Sequence, residues 1–334
     1  MKSSNIGGQA VLEGIMMKNG DKYAVAVRRP DQKIEVNVQD YKSFIPSDAI
    51  KKIPFIRGIF SFIDSLVLGM KTLMYSAEFY EEEEENAKEL TKEEAAKQEK
   101  KEKMMMNLTV VLSVILAVAI FMILPYFLSN LVKRYITSRG ILTVLEGIIR
   151  MLIFLGYIAL VSRMEDIQRT FMYHGAEHKC INCIEHGLEL NVENVRKSSR
   201  QHKRCGTSFL FFVMIVSIIF CFFITAESQV MRVLLRVALM PLIAGVSYEI
   251  IRLAGNSDNP VVNALSKPGL WVQNMTTKEP DDGMIEVAIQ AVEAVFDWKK
   301  YLNENFGTSY VCEQKEKNAL ADVAAACAAE GENS

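Results

Sequence analysis

The chain is 334 residues long, half of it hydrophobic, with 38 basic and 40 acidic side chains and a net charge of −2. That balance leaves no basic surplus for a nucleic-acid partner. The apolar residues gather in long blocks, which defines the expected fold class: an α-helical membrane protein of about four transmembrane helices with a small N-terminal cytoplasmic β-rich module.

Residues 1–50 form the β-rich module. "KYAVAVRR" and "KIEVNVQDY" are β-branched runs joined by "PDQ", a hairpin pattern. The preceding "IGGQAVLEGIMMK" has paired glycines that predict a special backbone turn, and Glu13 sits among apolar neighbours. No apolar h-region occurs in the first 20 residues, so no cleavable signal peptide is expected. Residues 53–77 predict a helix with Arg57, Asp64 and Lys71 spaced by seven on nearly one face, as in an interfacial helix. Residues 78–103, opening with Glu81–Glu85 after Glu78, read as a charged linker or solvated helix.

The membrane domain is expected over 107–251. Residues 107–132 are uncharged over 26 positions, enough for a bilayer core of roughly 30 Å. Residues 140–162 contain Glu146 and Arg150, residues 208–226 are uncharged and aromatic-rich, and residues 230–251 contain Arg232, Arg236 and Glu249. Ionisable residues inside spans should face the bundle interior and pair. Residues 252–300 form a C-terminal segment, loop-like over 263–283 with Trp271 at the membrane interface, followed by a capped amphipathic helix. The alanine-rich tail, 301–334, is expected to lack a fixed fold.

The loop 163–207 carries eight Lys and Arg residues, and the 3–4 connection "AESQ" has none. The positive-inside rule then puts this loop and both termini in the cytoplasm of an inner-membrane, multi-pass protein. Thiols stay reduced there.

All four histidines lie between 174 and 202. "YHGAEHK" places His174 and His178 at i and i+4 with Glu177 between them, the H-x-x-E-H pattern. Its two imidazoles ligate a metal and its carboxylate serves as base toward bound water. A third ligand is available from His202, Cys205 or Glu249, each near the same membrane face in this topology. Zinc is the expected divalent metal. Two other readings use the same loop. Cys180, Cys183, His202 and Cys205 have the spacing of a closed structural zinc knuckle. Cys205, just before a helix expected to be capped by Thr207 or Ser208, could act as a nucleophile with His202 as base. His186 reads as a surface residue. The segment 187–203 has little apolar content, so metal is expected to order it.

At "GGQAVLEGIMMK", "YHGAEHK", "ENVRK", "HKRCGTSF" and "PGLWVQNMTTKEPDD" the chain resembles the YqhQ-like family, bacterial membrane proteins of unknown function often labelled metal-dependent enzymes. The resemblance runs from about residue 5 to 300. It implies roles for His174, Glu177, His178, His202 and Cys205, and for Glu13 and Glu193, and it supplies no substrate. Lys203 stands where the family pattern has proline after His202. The resulting expectation is a metal-dependent hydrolase with Glu177 as base. Its surroundings would be membrane lipids, and its substrate a lipid-linked or membrane-proximal peptide. The competing expectation is a non-enzymatic membrane scaffold or transport accessory around a structural zinc.

Overall fold

A computed structural model describes residues 2–43, 50, 52–85, 92–136, 138–224, 228–257 and 259–310. The side chains of 81–85, 92–100, 102–103, 229–230 and 232–233 lie outside it. The expectations for the side chains of Glu81–Glu85 and Arg232, and for the tail beyond residue 310 with Cys312 and Cys327, therefore fall outside the described residues. The chain divides into two units, each taken here by itself.

The first unit draws on the described residues within Met1–Lys42, Met172–Gln201 and Glu279–Ser334. Its sheet is a four-stranded antiparallel meander: β1 (Gly7–Val11), β2 (Gly14–Asn19), β3 (Lys22–Arg28) and β4 (Ile34–Asp40). Four helical pieces belong with it. They are the part from Met172 of α5 (Glu165–Glu185), then α6 (Val192–Lys197), α10 (Asp282–Glu293) and α11 (Trp298–Phe306).

Alternation along β2 and β3 turns Ile15, Met17 and Ala26 toward one core. Tyr173, Ala176, Cys180, Ile181 and Ile184 of α5 join them there, with Ile285, Ala288 and Val292 of α10 and Leu302 of α11. Asp281 caps α10 by accepting from Met284 N. Acidic Glu165 and Asp166 suit the first turn of α5. That helix ends in a Schellman turn: Gly187 at φ +80° lets Leu188 N donate to Cys183 O and Gly187 N to Ile184 O.

The second unit spans Ser43–Phe171 and His202–Lys278. It holds α1 (Ile56–Glu85), α2 (Lys92–Val118), a π-helical turn at Ala119–Ile123 leading into α3 (Leu124–Leu131), and α4 (Arg139–Val161). After residue 201 it holds α7 (Gly206–Phe222), α8 (Gln229–Gly255) and α9 (Pro260–Thr276). Among the described residues, four stretches are helical, long and apolar enough to cross a membrane: Ile56–Tyr80, Met104–Arg134, Arg139–Val161 and Leu234–Gly255. Outward residues such as Leu108, Leu112, Ile115, Leu152 and Leu160 are exposed, as suits lipid-facing helices and not a water-facing surface.

The number four matches the expectation, but its membership differs. The helix expected to be interfacial is long enough to span. The expected third span is a 17-residue helix, about 26 Å at 1.5 Å per residue, short of a roughly 30 Å hydrocarbon core.

Three further expectations need correction. Residues 263–283 do not form a loop up to the amphipathic helix, because Asn259 caps and Pro260 opens α9, which runs through Pro268 to Thr276. The tail is ordered beyond 302, since α11 continues to Phe306 and Tyr310 stacks on Trp298 at 5.2 Å. Finally, the helix carrying the histidines is not a continuation of the second expected span. A turn at Ser162–Met164 separates α4 from α5.

Candidate metal centre

His174 and His178 project from α5 one turn apart, and their rings meet edge to face with centroids 4.4 Å apart. His178 is buried and its Nδ1 lies 2.7 Å from Arg200 O. A carbonyl only accepts, so Nδ1 carries the proton and donates, and the ring presents Nε2 as its ligand atom. This is the device by which metal-binding imidazoles have tautomer and orientation fixed. Asn182, one turn further on the same helix face, donates from Nδ2 to Ser199 O (2.6 Å) and Gln201 O (2.9 Å). Buried Lys179 donates from Nζ to Arg196 O and Ser198 O, both 2.9 Å, and pairs with Glu279. The strand of chain from 196 to 201 is thus tied along α5 by side chains of that helix. Lys179 and Asn182 therefore tether residues 196–201 of the segment that metal is expected to order.

Glu177 is 5% exposed, and its Cγ lies where a Cβ on Gly8 would come within 2.9 Å. That Cβ would also stand 2.7 Å from Met16 O, so β1 passes beneath Glu177 only with glycine at position 8. The paired glycines therefore serve close approach; Gly7 is open and the tight residue is Gly8. Glu13 occupies the β1–β2 turn at φ +47°, a strained conformation for a long side chain, and Tyr173 Oη donates to its carboxylate at 3.4 Å. Glu13 is thereby held beside the residue that precedes His174.

In the second unit, His202 is buried and held by Gln273, which is itself fully buried. Gln273 Oε1 accepts from His202 N (2.9 Å), and its Nε2 donates to His202 O (2.8 Å) and Ser208 Oγ (2.6 Å). Cys205 is the N-cap of α7, its Sγ accepting from Thr207 N at 3.4 Å. The cap is therefore the cysteine itself and not Thr207 or Ser208. The sulfur stands at the N-terminal end of that helix.

Glu249 leaves the set of expected ligands. Arg57 grips both its oxygens (Nε to Oε1 2.7 Å, Nη2 to Oε2 2.5 Å), and Phe55 N donates to it as well, so the carboxylate is committed to a bidentate ion pair. The zinc knuckle also loses its first half. Cys180 and Cys183 lie in the apolar core, where burial pushes Cys183 up to about 11 and Cys180 well above the ordinary thiol value. Zinc needs thiolates, and this surrounding disfavours them. Glu193 is an exposed partner of Lys197, whose hydrogen bond holds its carboxyl below the usual value, and His186 is exposed as expected.

Lys179, Asn182 and Gln273 were not singled out from the sequence as site residues. Their signal was position: each lies in or beside a quoted motif, "YHGAEHK" or "PGLWVQNMTT".

A helical unit with stretches long and apolar enough to cross a membrane, in one chain with a sheet-and-helix unit that carries a histidine pair, defines the class of protein. Residues 53–298 match the family described as "Protein of unknown function (DUF1385)", and the chain belongs to that family. It is 38% identical over 286 residues to "Uncharacterized protein YqhQ" of Bacillus subtilis (strain 168), covering 85% of this chain and 90% of the relative. No solved structure matches.

Proposed function

We propose that the protein is a metal-dependent hydrolase at the membrane face. His174 and His178 bind a divalent metal, zinc first, and Glu177 is the base. The observation that carries the reading is the His178 Nδ1–Arg200 O bond, which leaves His178 Nε2 as the ring's ligand atom beside the His174 ring on the same helix face. A divalent ion there supplies Lewis acidity and lowers the pKa of a bound water. The third ligand comes from His202 or Cys205. Both follow directly in the chain after Gln201, whose carbonyl Asn182 holds one turn beyond His178. The position at a membrane favours a lipid-linked or membrane-proximal peptide as substrate. The scaffold reading around a structural zinc is weaker, because Cys180 and Cys183 are spent on the core.

Chain connectivity supports the topology. The segments 2–42, 172–201 and 279–310 share one folded unit, so they occupy one side of a membrane, and each excursion between them crosses an even number of times. The first excursion contains three candidate stretches, Ile56–Tyr80, Met104–Arg134 and Arg139–Val161, so one of them does not cross. Ile56–Tyr80 is the least apolar of the three, and it returns to the interfacial role. The second excursion contains Leu234–Gly255, which pairs with the short Gly206–Phe222. This reading has four crossings, with the first unit on the cytoplasmic side that the positive-inside pattern favours.

Elemental analysis of the purified full chain tests the site. About one divalent ion per chain is expected, lost in His174→Ala and in His178→Ala and kept in Glu177→Gln. Incubation with native membranes, followed by lipid and peptide profiling, then tests the reaction: wild type should change the profile and Glu177→Gln should not. Metal retained in both histidine variants would end the proposal.

A further inference from the structure

Within the helical unit, Glu146 of α4 is met by two arginines. Arg236 of α8 grips it with both terminal nitrogens (Nη1 to Oε1 2.5 Å, Nη2 to Oε2 2.8 Å). Arg150, one turn along α4, reaches Oε1 at 3.1 Å and Ser217 Oγ of α7 at 3.4 Å. Glu146 and Arg236 are 5% and 8% exposed. Each is the eighth residue of its helix, about 10 Å along from the N-terminal end at 1.5 Å per residue. Their pairing puts both helix starts on one side. The cluster therefore lies within the apolar part of the helices, toward the end opposite the α4–α5 turn.

Its charges do not balance. Among the described side chains, two guanidiniums face one carboxylate, and that carboxylate is already saturated by the Arg236 fork and Arg150. Both Arg150 Nε and Arg236 Nε are buried without a hydrogen-bond partner. A buried ion pair persists when its remaining donors are satisfied, and an unmatched cation in an apolar surround carries a large desolvation cost. A simple packing contact accounts for Glu146 and one arginine, and it leaves the second charge and both Nε donors unexplained. A small oxyanion accounts for all three, since the planar donor edges of arginine fit phosphate oxygens.

We propose that Glu146, Arg150 and Arg236, with Ser217, form a membrane-embedded site for one phosphate-class anion, either the headgroup phosphate of an anionic lipid or free inorganic phosphate. The site is independent of the histidine pair and stands or falls apart from it.

The test uses the purified full chain. One arm counts lipid phosphorus retained per protein after exhaustive washing in neutral detergent, and again after reconstitution into phosphatidylglycerol or phosphatidylcholine nanodiscs. The other arm titrates the delipidated protein with inorganic phosphate and follows thermal stability. Arg150→Gln is the informative variant because it leaves the balanced Glu146–Arg236 pair in place. If a lipid is the occupant, wild type retains about one more phosphorus per chain than Arg150→Gln and prefers phosphatidylglycerol. If free phosphate is the occupant, wild type shows saturable stabilisation that Arg150→Gln weakens by about tenfold or more.

If Arg150→Gln does not fold, Arg150→Lys provides the comparison, keeping the charge and losing the fork, with weakened but measurable binding expected. Wild type that neither retains excess lipid phosphorus nor responds to phosphate overturns the proposal. So does equal binding in wild type and whichever Arg150 variant folds.

Discussion

Replacing Asn182 with leucine should open the 196–201 strand without unfolding the protein. The amide of Asn182 makes two hydrogen bonds, to Ser199 O and Gln201 O, and it is 4% exposed. Leucine keeps nearly the same volume and supplies neither donor. Each lost bond costs about 1 kcal/mol net, so the anchored segment loses about 2 kcal/mol; if the two carbonyls stay dry the loss rises toward about 4 kcal/mol. Cleavage of a transiently opened segment follows its opening equilibrium, so 2 kcal/mol corresponds to about 30-fold faster cutting. Trypsin provides the assay, because Arg196, Lys197 and Arg200 lie in the segment. Cutting there should accelerate about 30-fold in Asn182→Leu while sites on the sheet, such as Arg28, stay protected. A chelator applied to wild type should accelerate it far less, since Lys179 and Asn182 hold the strand without metal. An increase below about threefold, or equal loss of protection across the sheet, would refute the anchoring argument.

Gly8→Ala should destabilise the protein by about 1–3 kcal/mol, read as a lower melting temperature, because its Cβ meets Met16 O, Met17 Sδ and Glu177 Cγ inside 3.0 Å. Gln273→Leu strands both backbone groups of His202 and should cost about 2–3 kcal/mol by the same readout. The Cys183 thiol is raised by burial to about 11 from an ordinary 9.0, so the folded protein holds its proton more tightly than the unfolded chain. Its contribution is full below about pH 9 and lost as pH rises toward 11, and Cys183→Ala should flatten that part of the stability profile. With Cys312 and Cys327 replaced by serine, exposed His186 is a better reporter of sidedness than the buried Cys180 and Cys183. His186→Cys should resist a membrane-impermeant thiol reagent on intact cells and react once the membrane is opened.

Local signals were strong for some elements and silent for others. "KYAVAVRR" and "KIEVNVQDY" alternate with period two and became β3 and β4, with the register set by the hairpin between them. The cap at Asp281 and the apolar period after it marked α10. The His174/His178 pair was legible because i, i+4 spacing is a property of a single helix. What places the rest is non-local. Nothing in the period of "NALSKPGLWVQNMTT" announces that Gln273 will hold both backbone groups of His202, 71 positions away. Residues 263–283 read as loop-like, yet α9 runs through Pro268 to Thr276. Glu249 looked available as a ligand because Arg57, 192 residues earlier, gave no sign of being its partner. Cys180 and Cys183 have a metal spacing and a core address, and only packing separates the two.

The first unit is stitched from three stretches of chain separated by two long excursions through the helical unit. During synthesis the sheet leaves the ribosome first, with Ile15, Met17 and Ala26 waiting for partners. α5 follows after roughly 130 residues, and α10 and α11 only after the whole helical bundle has been made. Tyr301 Oη finally donates to Lys2 O, closing the latest described helix onto the earliest described residues. A nascent sheet with a bare apolar face must therefore wait while the helical unit is made. Truncation before about residue 284 should leave a chain whose helices insert normally and whose water-facing part never sets. Completion of the fold around the histidine pair is thereby timed to the end of translation.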